Sequence, residues 1–442
     1  NSIQASGYLS QWGAGTARLR ADRIDLEDRV VTDGNVSWTL RDTQYLDQTP
    51  GVRTKVDLSY VPAADLGAVT LRVRVIRGKS KVASTGVRRY GLKDLYAESV
   101  NGNCAIQASG QAVCWDPAIR GNPGNEYLSQ TKTALPINSL AHITDIQGFC
   151  AVRVSGQPVC WGDNEDQIVG DGTDHYRPFP AKVYGLSEVK QVTTSYYNGC
   201  ALQIAGRVYC WGYSYLGALG NGKDDNTLYR KPTRVKGLMN ATMIETSSSS
   251  TCAVTADAKA TCWGDNRLAY GFRDIRFVPE EVPGLSNVVE VGAEGPVECA
   301  LIATGEVYCW GQNQDGELGD GKKITKEPYG RARPMPVLGL DDATAISINE
   351  WGGCALRATG EVACWGNPNF AEIGPGPFPG NGLLTTVPGL TDAKSITTDG
   401  TPCAIRQSGQ VVCWGDLAGV GFDGWGYISP AIPSVPMPVK TG

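Results

Sequence analysis

The sequence has only two histidines, His142 and His175, and neither sits in a metal-ligand pattern. Metal centres and acid–base sites lean on histidine clusters, so both are read as exposed or hydrogen-bonded loop residues, and no metal or other cofactor is expected. A basic excess is also missing: 40 Lys and Arg stand against 45 Asp and Glu, a formal net charge of -5. Nucleic-acid binding needs clustered positive charge, which makes it a poor reading here. No apolar run reaches the length of a membrane-spanning helix. The opening Asn1-Ser-Ile-Gln4 lacks the basic and apolar segments of a signal peptide, as a processed form would. No phosphate-cradling or dinucleotide fingerprint occurs, the serines have no nearby histidine, and the Asp-Gly loops read as turns without EF-hand spacing. The chain is therefore expected not to be an enzyme.

What is abundant is glycine (55) and proline (25), spread along the whole length, as in proteins where many short strands are joined by many turns. That composition points to an all-β protein. At 442 residues both two domains and one large repeat array are open.

The fourteen cysteines choose between them. They form seven pairs ten positions apart: Cys104 with Cys114, Cys150 with Cys160, Cys200 with Cys210, Cys252 with Cys262, Cys299 with Cys309, Cys354 with Cys364, and Cys403 with Cys413. Six pairs carry a glycine six positions after the first cysteine, and the exception is Ala258. A three-residue hairpin loop needs a left-handed residue at that place, which glycine supplies without a Cβ penalty. With the loop at 204–206, Cys200 faces Cys210 across the strands, close enough for a bridge within the hairpin. Zinc knuckles space their thiolates two to four residues apart, so disulfides are the better reading. Disulfides persist in oxidising compartments, which suggests a secreted, cell-surface or periplasmic protein. Two glycosylation sequons, at Asn35 and Asn240, are compatible with this.

Every second cysteine is followed by Trp: Trp115, Trp161, Trp211, Trp263, Trp310, Trp365 and Trp414, with Gly next in six cases. The repeat is about fifty residues, a period typical of solenoids and propellers. Five units end on a Val-x-Gly-Leu phrase such as Val235-Lys-Gly-Leu238, after which a β-branched run opens the next. Four strands per unit follow: that run, the two hairpin arms, and the segment ending in the phrase. Adjacent Cys and Trp point to opposite faces of a strand, so the Trp is expected to pack between neighbouring sheets of a ring.

The phrase Cys-Ala-Leu-x-x-x-Gly-x-Val-x-Cys-Trp-Gly, with Leu318-Gly-Asp-Gly-Lys322 and Val169-Gly-Asp-Gly-Thr173 after it, resembles the propellers built from regulator of chromosome condensation repeats. The resemblance covers 93–442 and implies a seven-bladed β-propeller of four-stranded blades. The cysteine pairing is that of extracellular variants, the loops after Trp-Gly are degenerate in repeats one, four, six and seven, and nothing matches a nucleotide-exchange hairpin. The resemblance carries the fold and not that family's best-known activity. The C-terminus reaches a closing phrase, so the last blade is expected to be complete.

Residues 1–92 are β-rich. Ile3-Gln-Ala-Ser-Gly7 repeats Ile106-Gln-Ala-Ser-Gly110, Trp12-Gly13 follows at the matching distance, and Val87-Arg-Arg-Tyr-Gly-Leu92 copies the closing phrase, as in one or two decayed repeats. The alternation in Val69-Thr-Leu-Arg-Val-Arg-Val75 and the turn signal Asp33-Gly34 fit a separate module equally well. Nine blades would exceed the usual range. The expectation is therefore seven blades with the N-terminal segment outside them.

Propellers act through loops at one end of the ring. The position three before the first cysteine is Asn101, Gln147, Tyr197, Ser249, Pro296, Trp351 and Gly400 in turn. Tyr196, Tyr197, Tyr213 and Tyr215 gather around one repeat, and with Trp351 they are the candidate partner-binding residues, since aromatics serve as protein hot spots and as sugar-stacking platforms. The leading reading is a non-enzymatic extracellular binding protein for a protein or glycan. A structural subunit that polymerises through its N-terminal strands is the alternative, and a lyase-type propeller enzyme the third.

Overall fold

The cysteines report the register of every hairpin. Cys200 pairs with Cys210, Ala201 with Tyr209 and Leu202 with Val208, which leaves the expected turn, and Gly206 takes φ 77°. Ala258 takes φ 57° where the other repeats have glycine; the hairpin keeps its shape and the alanine carries the strain. All seven expected bridges are present. Cys104 joins Cys114, Cys150 joins Cys160, Cys200 joins Cys210, Cys252 joins Cys262, Cys299 joins Cys309, Cys354 joins Cys364 and Cys403 joins Cys413, each within its own hairpin at Cα separations of 4.0–4.1 Å.

The computed structural model describes residues 97–101, 104–114, 135–136, 140–223, 226–265, 275–327, 329–367, 382–399, 402–414, 437–438 and 440–441, and before them strands at 3–11, 17–21, 25–26, 29–30, 37–40, 54–62, 68–77, 80–90 and 93–94. Trp12, Trp115, Asp33, Gly34, Asn35 and Gly400 lie outside the described residues. By contacts the chain divides into two units, 1–93 with 442, and 94–441.

The second unit is seven four-stranded antiparallel sheets, here blades 1 to 7, whose inner strands begin at Ser99, Ile143, Val189, Ala241, Val288, Ala343 and Ala393. Strand order within each blade follows the chain. Successive blades touch, and the seventh closes on the first: Cys403, Ile405, Val411 and Cys413 share a buried cluster with Ala97, Val100, Ala105 and Val113, and the Ala97 N–H donates to the Gly409 carbonyl at 2.9 Å.

Opposite faces of each strand do opposite jobs. The indole of Trp161 in blade 2 packs with Cys104 and Cys114 of blade 1. That of Trp211 in blade 3 packs with Cys150 and Cys160 of blade 2, and that of Trp263 in blade 4 with Cys200 and Cys210 of blade 3. The pairing continues around the ring: Trp310 with Cys252 and Cys262, Trp365 with Cys299 and Cys309, and Trp414 with Cys354 and Cys364. Blades 1 to 6 thus offer their disulfides to the next blade and blades 2 to 7 their tryptophans to the previous one, as strand alternation requires. The Gly-x-Gly loops are explained by the same contact. A Cβ on Gly170 or Gly220 would lie 2.6 Å from the Trp211 or Trp263 indole nitrogen of the following blade. Those indoles donate to the Ile168 and Ala218 carbonyls at 2.7 and 2.9 Å.

Outer strands in blades 2 to 5 shift register just after the second cysteine, and Pro180, Pro232, Pro279 and Pro334 stand at that place. A proline there withholds an N–H and blunts the exposed edge.

The first unit is one eight-stranded sheet, not a blade: Ile3–Gln11 pairs with Ala17–Ala21, Asp25–Leu26 and Thr54–Pro62, and Ala68–Arg77 lies between Thr54–Pro62 and the edge strand Ser80–Tyr90. The alternating run 69–75 is a strand, as its pattern predicts.

Candidate functional site

In an antiparallel blade the connection from inner to second strand and that from third to outer strand emerge at the same end of the ring. In blade 3 the first holds Tyr196 and Tyr197, and the second begins at Tyr213 and continues into a short 3-10 turn, Tyr215–Gly217. Three rings meet there. Tyr213 and Tyr215 stack with centroids 5.8 Å apart, and Tyr197 lies 6.4 Å from Tyr213 at 76° and 6.5 Å from Tyr215. Such offset and edge-on pairings are the favourable ones for aromatic quadrupoles. Tyr197 is 41% exposed, Tyr215 38% and Tyr196 81%. No other repeat has an aromatic at the places of Tyr213 and Tyr215.

Backbone holds the cluster in place. The Tyr213 N–H donates to the Tyr197 carbonyl at 2.8 Å, and the Ser195 hydroxyl accepts from the N–H groups of Tyr197 and Asn198 at 3.3 Å each. Gly212, the glycine of the Trp-Gly pair, takes φ 97°; a Cβ there would lie 2.8 Å from Asn198 Cα and closer still to the Tyr197 carbonyl oxygen.

The loop after Trp-Gly is shaped by one exchange. In blades 2 and 5 an asparagine braces it: Asn164 Oδ1 accepts from the Val169 N–H at 3.0 Å, and Asn313 Oδ1 from the Leu318 N–H at 3.2 Å. Blade 3 has Ser214 instead, which is 1% exposed and whose hydroxyl finds no partner among the described residues. A serine is too short for the brace, and Leu216 turns into the left-handed region at φ 49°, an arrangement that costs energy for a non-glycine residue.

Beside the tyrosines runs the hydroxyl-rich 246–251 of blade 4. Asn198 joins the two loops: its Nδ2 donates to the Ser247 carbonyl at 3.3 Å, and its Oδ1 accepts from the Thr246 hydroxyl at 2.8 Å. Ser250 donates to the Glu298 carboxyl of blade 5 at 3.0 Å. Ser248 and Ser249 stay partly exposed.

Not every residue singled out from sequence joins this surface. Trp351 belongs to blade 6, where it is half-buried and packs on the cluster of Leu356, Leu390 and Trp414. The position three before the first cysteine is also not one place: Tyr197, Ser249, Pro296 and Trp351 accept the backbone bond from the residue after Trp-Gly, whereas Gln147 lies inside the inner strand of blade 2. The connection is simply shorter in blade 2.

Sequence reasoning missed the acids of the inner strands. Glu245 accepts from Gln147 Nε2 of blade 2 and, at 3.1 Å, from the Thr193 hydroxyl of blade 3. Burial, with Asp399 and Asp145 adding repulsion, pushes it up to about 8. Burial likewise raises Glu294 to about 8, helped by Asp399, Glu245 and Glu350. Both keep part of their surface exposed, and water moderates the effect there. Glu298 is 2% exposed, so its rise to about 8, from burial first and then Asp265, rests on full desolvation. At the foot of the inner strands, Gln191 clamps the Ile244 N–H and carbonyl of the next blade at 3.0 and 2.8 Å, while Asp145 and Glu290 each accept one backbone N–H, from Val192 at 2.8 Å and from Ile346 at 3.1 Å. Among the described residues no group of three or more His, Cys, Asp and Glu is placed to hold a metal ion, and no described helix is long and apolar enough to cross a membrane.

Residues 205–254 and 304–349 match the regulator of chromosome condensation (RCC1) repeat. Among solved structures, Prp20p from Saccharomyces cerevisiae, described with its binding properties to Gsp1p and histones, is 17% identical at a TM-score of 0.63, over 77% of this chain and 88% of its own. Yeast RCC1 (Prp20) in a structure with Kap60 is 18% identical at 0.62, over 74% and 83%. Human WBSCR16 is 17% identical at 0.56, over 76% and 92%. No curated protein matches the sequence. At such identities the likeness carries the fold alone.

Proposed function

We propose that this chain, a seven-bladed propeller of regulator of chromosome condensation repeats with a disulfide in every blade, acts by binding, and that it holds a protein or glycan partner on the end of the ring that carries Tyr196, Tyr197, Tyr213 and Tyr215. One observation carries the reading: three tyrosine rings from two loops of blade 3 pack on one another while Tyr197 and Tyr215 stay open to solvent. Amphipathic rings on a rigid scaffold make large contacts at small entropic cost. The similar yeast propeller is described as binding Gsp1p and histones, which supports binding as the general mode and says nothing of the partner here. Seven disulfides fit an oxidising compartment, and an extracellular, surface or periplasmic setting is the one proposed.

Glycan and protein arrays probed with the wild-type chain and with Tyr197→Ala and Tyr215→Ala variants test it. Binding that both variants lose supports the site; binding that neither variant changes rejects it.

A structural subunit is the second reading. Among the described residues the edge strand Ser80–Tyr90 of the N-terminal sheet pairs on one side only, and a free edge can accept a strand from another copy. Sedimentation across a concentration series decides: a constant monomer mass rejects assembly.

A further inference from the structure

We propose that the ligand of the rim formed by blades 3 and 4 is an uncharged glycan. The inference rests on reading the tyrosine cluster as the binding site, and it names the chemistry that cluster accepts. Blade 3 differs from its neighbours in charge as well as in aromatics. The loop after Trp-Gly carries Asp163, Glu165, Asp166 and Asp171 in blade 2, and Asp315, Glu317 and Asp320 in blade 5. In blade 3 the same stretch, 213–222, has no Asp, Glu, Lys or Arg, and neither do the adjoining 195–199 and 246–251. A charged ligand seated there would lose water without gaining a counter-charge. A protein partner usually meets charge around the rim of its site, which steers encounter and sets register.

What the rim offers is ring surface beside hydroxyls. Tyr197, Tyr213 and Tyr215 present the aromatic part. Ser248 and Ser249 are partly exposed at its border, and Asn198 locks the two loops into one surface through Ser247 and Thr246. Of the acids described nearby, Glu298 is buried behind Ser250 and bonded to its hydroxyl, and Asp265 sits at the blade 4 side, its N–H on the Ser249 carbonyl. A pyranose matches this: its C–H face lies on a tyrosine ring, and its equatorial hydroxyls exchange hydrogen bonds with serine and tyrosine hydroxyls, which both donate and accept.

Titration calorimetry of the full chain against soluble neutral oligomers of glucose, xylose, mannose and N-acetylglucosamine, with a polyuronate as the charged control, tests the proposal. Saturable binding to a neutral oligomer is expected. It should weaken about tenfold in Tyr197→Ala or Tyr215→Ala, stay within about threefold in the matching Phe variants, and hold between low and high salt. Tyr196→Ala, at the most exposed ring, is the variant least able to disturb folding, and a melting curve checks the others. Binding to the polyuronate alone, or binding that salt abolishes, overturns the proposal. So does a panel with no saturable neutral ligand. A protein ligand lost in the same tyrosine variants would overturn the glycan while leaving the binding site standing, and no tyrosine-dependent ligand of either kind would overturn both.

Discussion

Tyr213 is tied to Tyr197 twice: its N–H donates to the Tyr197 carbonyl at 2.8 Å, and its ring meets the Tyr197 ring edge-on at 6.4 Å. The backbone bond is the general one of blades 3 to 6, made also by Asp265 to Ser249 and Gln312 to Pro296. The ring contact belongs to blade 3, where an ordinary structural link has acquired an exposed aromatic surface.

Gly212 is what permits the link. Alanine at Gly212 would face a φ of 97° and a Cβ against the Tyr197 carbonyl. We expect Gly212→Ala to lose about 2–4 kcal/mol of stability, read as a lower urea midpoint, and to abolish Tyr197-dependent binding. Gly237, where a Cβ would meet nothing within 4 Å, is the control: with φ 83°, its Ala variant bears the backbone strain and no clash, so it should lose clearly less.

The brace absent from blade 3 can be put back. Ser214→Asn restores the side chain that holds this loop in blades 2 and 5. If it captures the Leu219 N–H, stability should rise by about 1 kcal/mol, and Tyr215 should leave the cluster. A melting temperature at or below wild type, with binding unchanged, would show that the short serine is not what sets the loop.

Stability should concentrate where blades meet. Trp263 is fully buried against the Cys200–Cys210 bridge of the preceding blade and donates to the Ala218 carbonyl; Trp263→Ala should cost about 3–5 kcal/mol. Removing the bridge as Cys200→Ala with Cys210→Ala should cost roughly 3 kcal/mol through the loop it closes. The two losses should not add, because the groups touch, and a double-mutant cycle in urea checks this.

Glu298 makes stability depend on pH. Its ordinary value of 4.5 is raised to about 8 by burial, so between those values the folded chain keeps a proton that the unfolded chain releases. Stability therefore falls as pH rises through that window. Glu298→Gln keeps an acceptor for Ser250 and has nothing to ionise. It should flatten the profile and leave the variant more stable above pH 8, by at most about 5 kcal/mol. An unchanged slope in urea titrations across pH would assign the dependence to other acids, such as Glu245 and Glu294.

Much of this architecture is legible because it is periodic. Cysteine spacing sets the hairpin register, Cys-Trp adjacency sets which face meets which neighbour, and the turn glycines mark the left-handed positions. The tyrosines of blade 3 stand out as an aromatic concentration. Their mutual packing does not, nor do Asn198 and Glu298, whose roles come from partners in other blades about fifty residues away, nor the burial of Ser214.

Ile-Gln-Ala-Ser-Gly occurs twice and takes two conformations. At 106–110 it leaves the strand at Ile106 and turns, with Gly110 at φ 74°; at 3–7 it runs straight through the strand Ile3–Gln11. Alternation, turn residues and cysteine register act within a hairpin, so the repeating blade follows from local sequence. Which pentapeptide turns, which serine is buried and which acid keeps its proton are settled by tertiary contacts, because strand pairing, desolvation and packing between blades depend on segments the chain brings together from far apart.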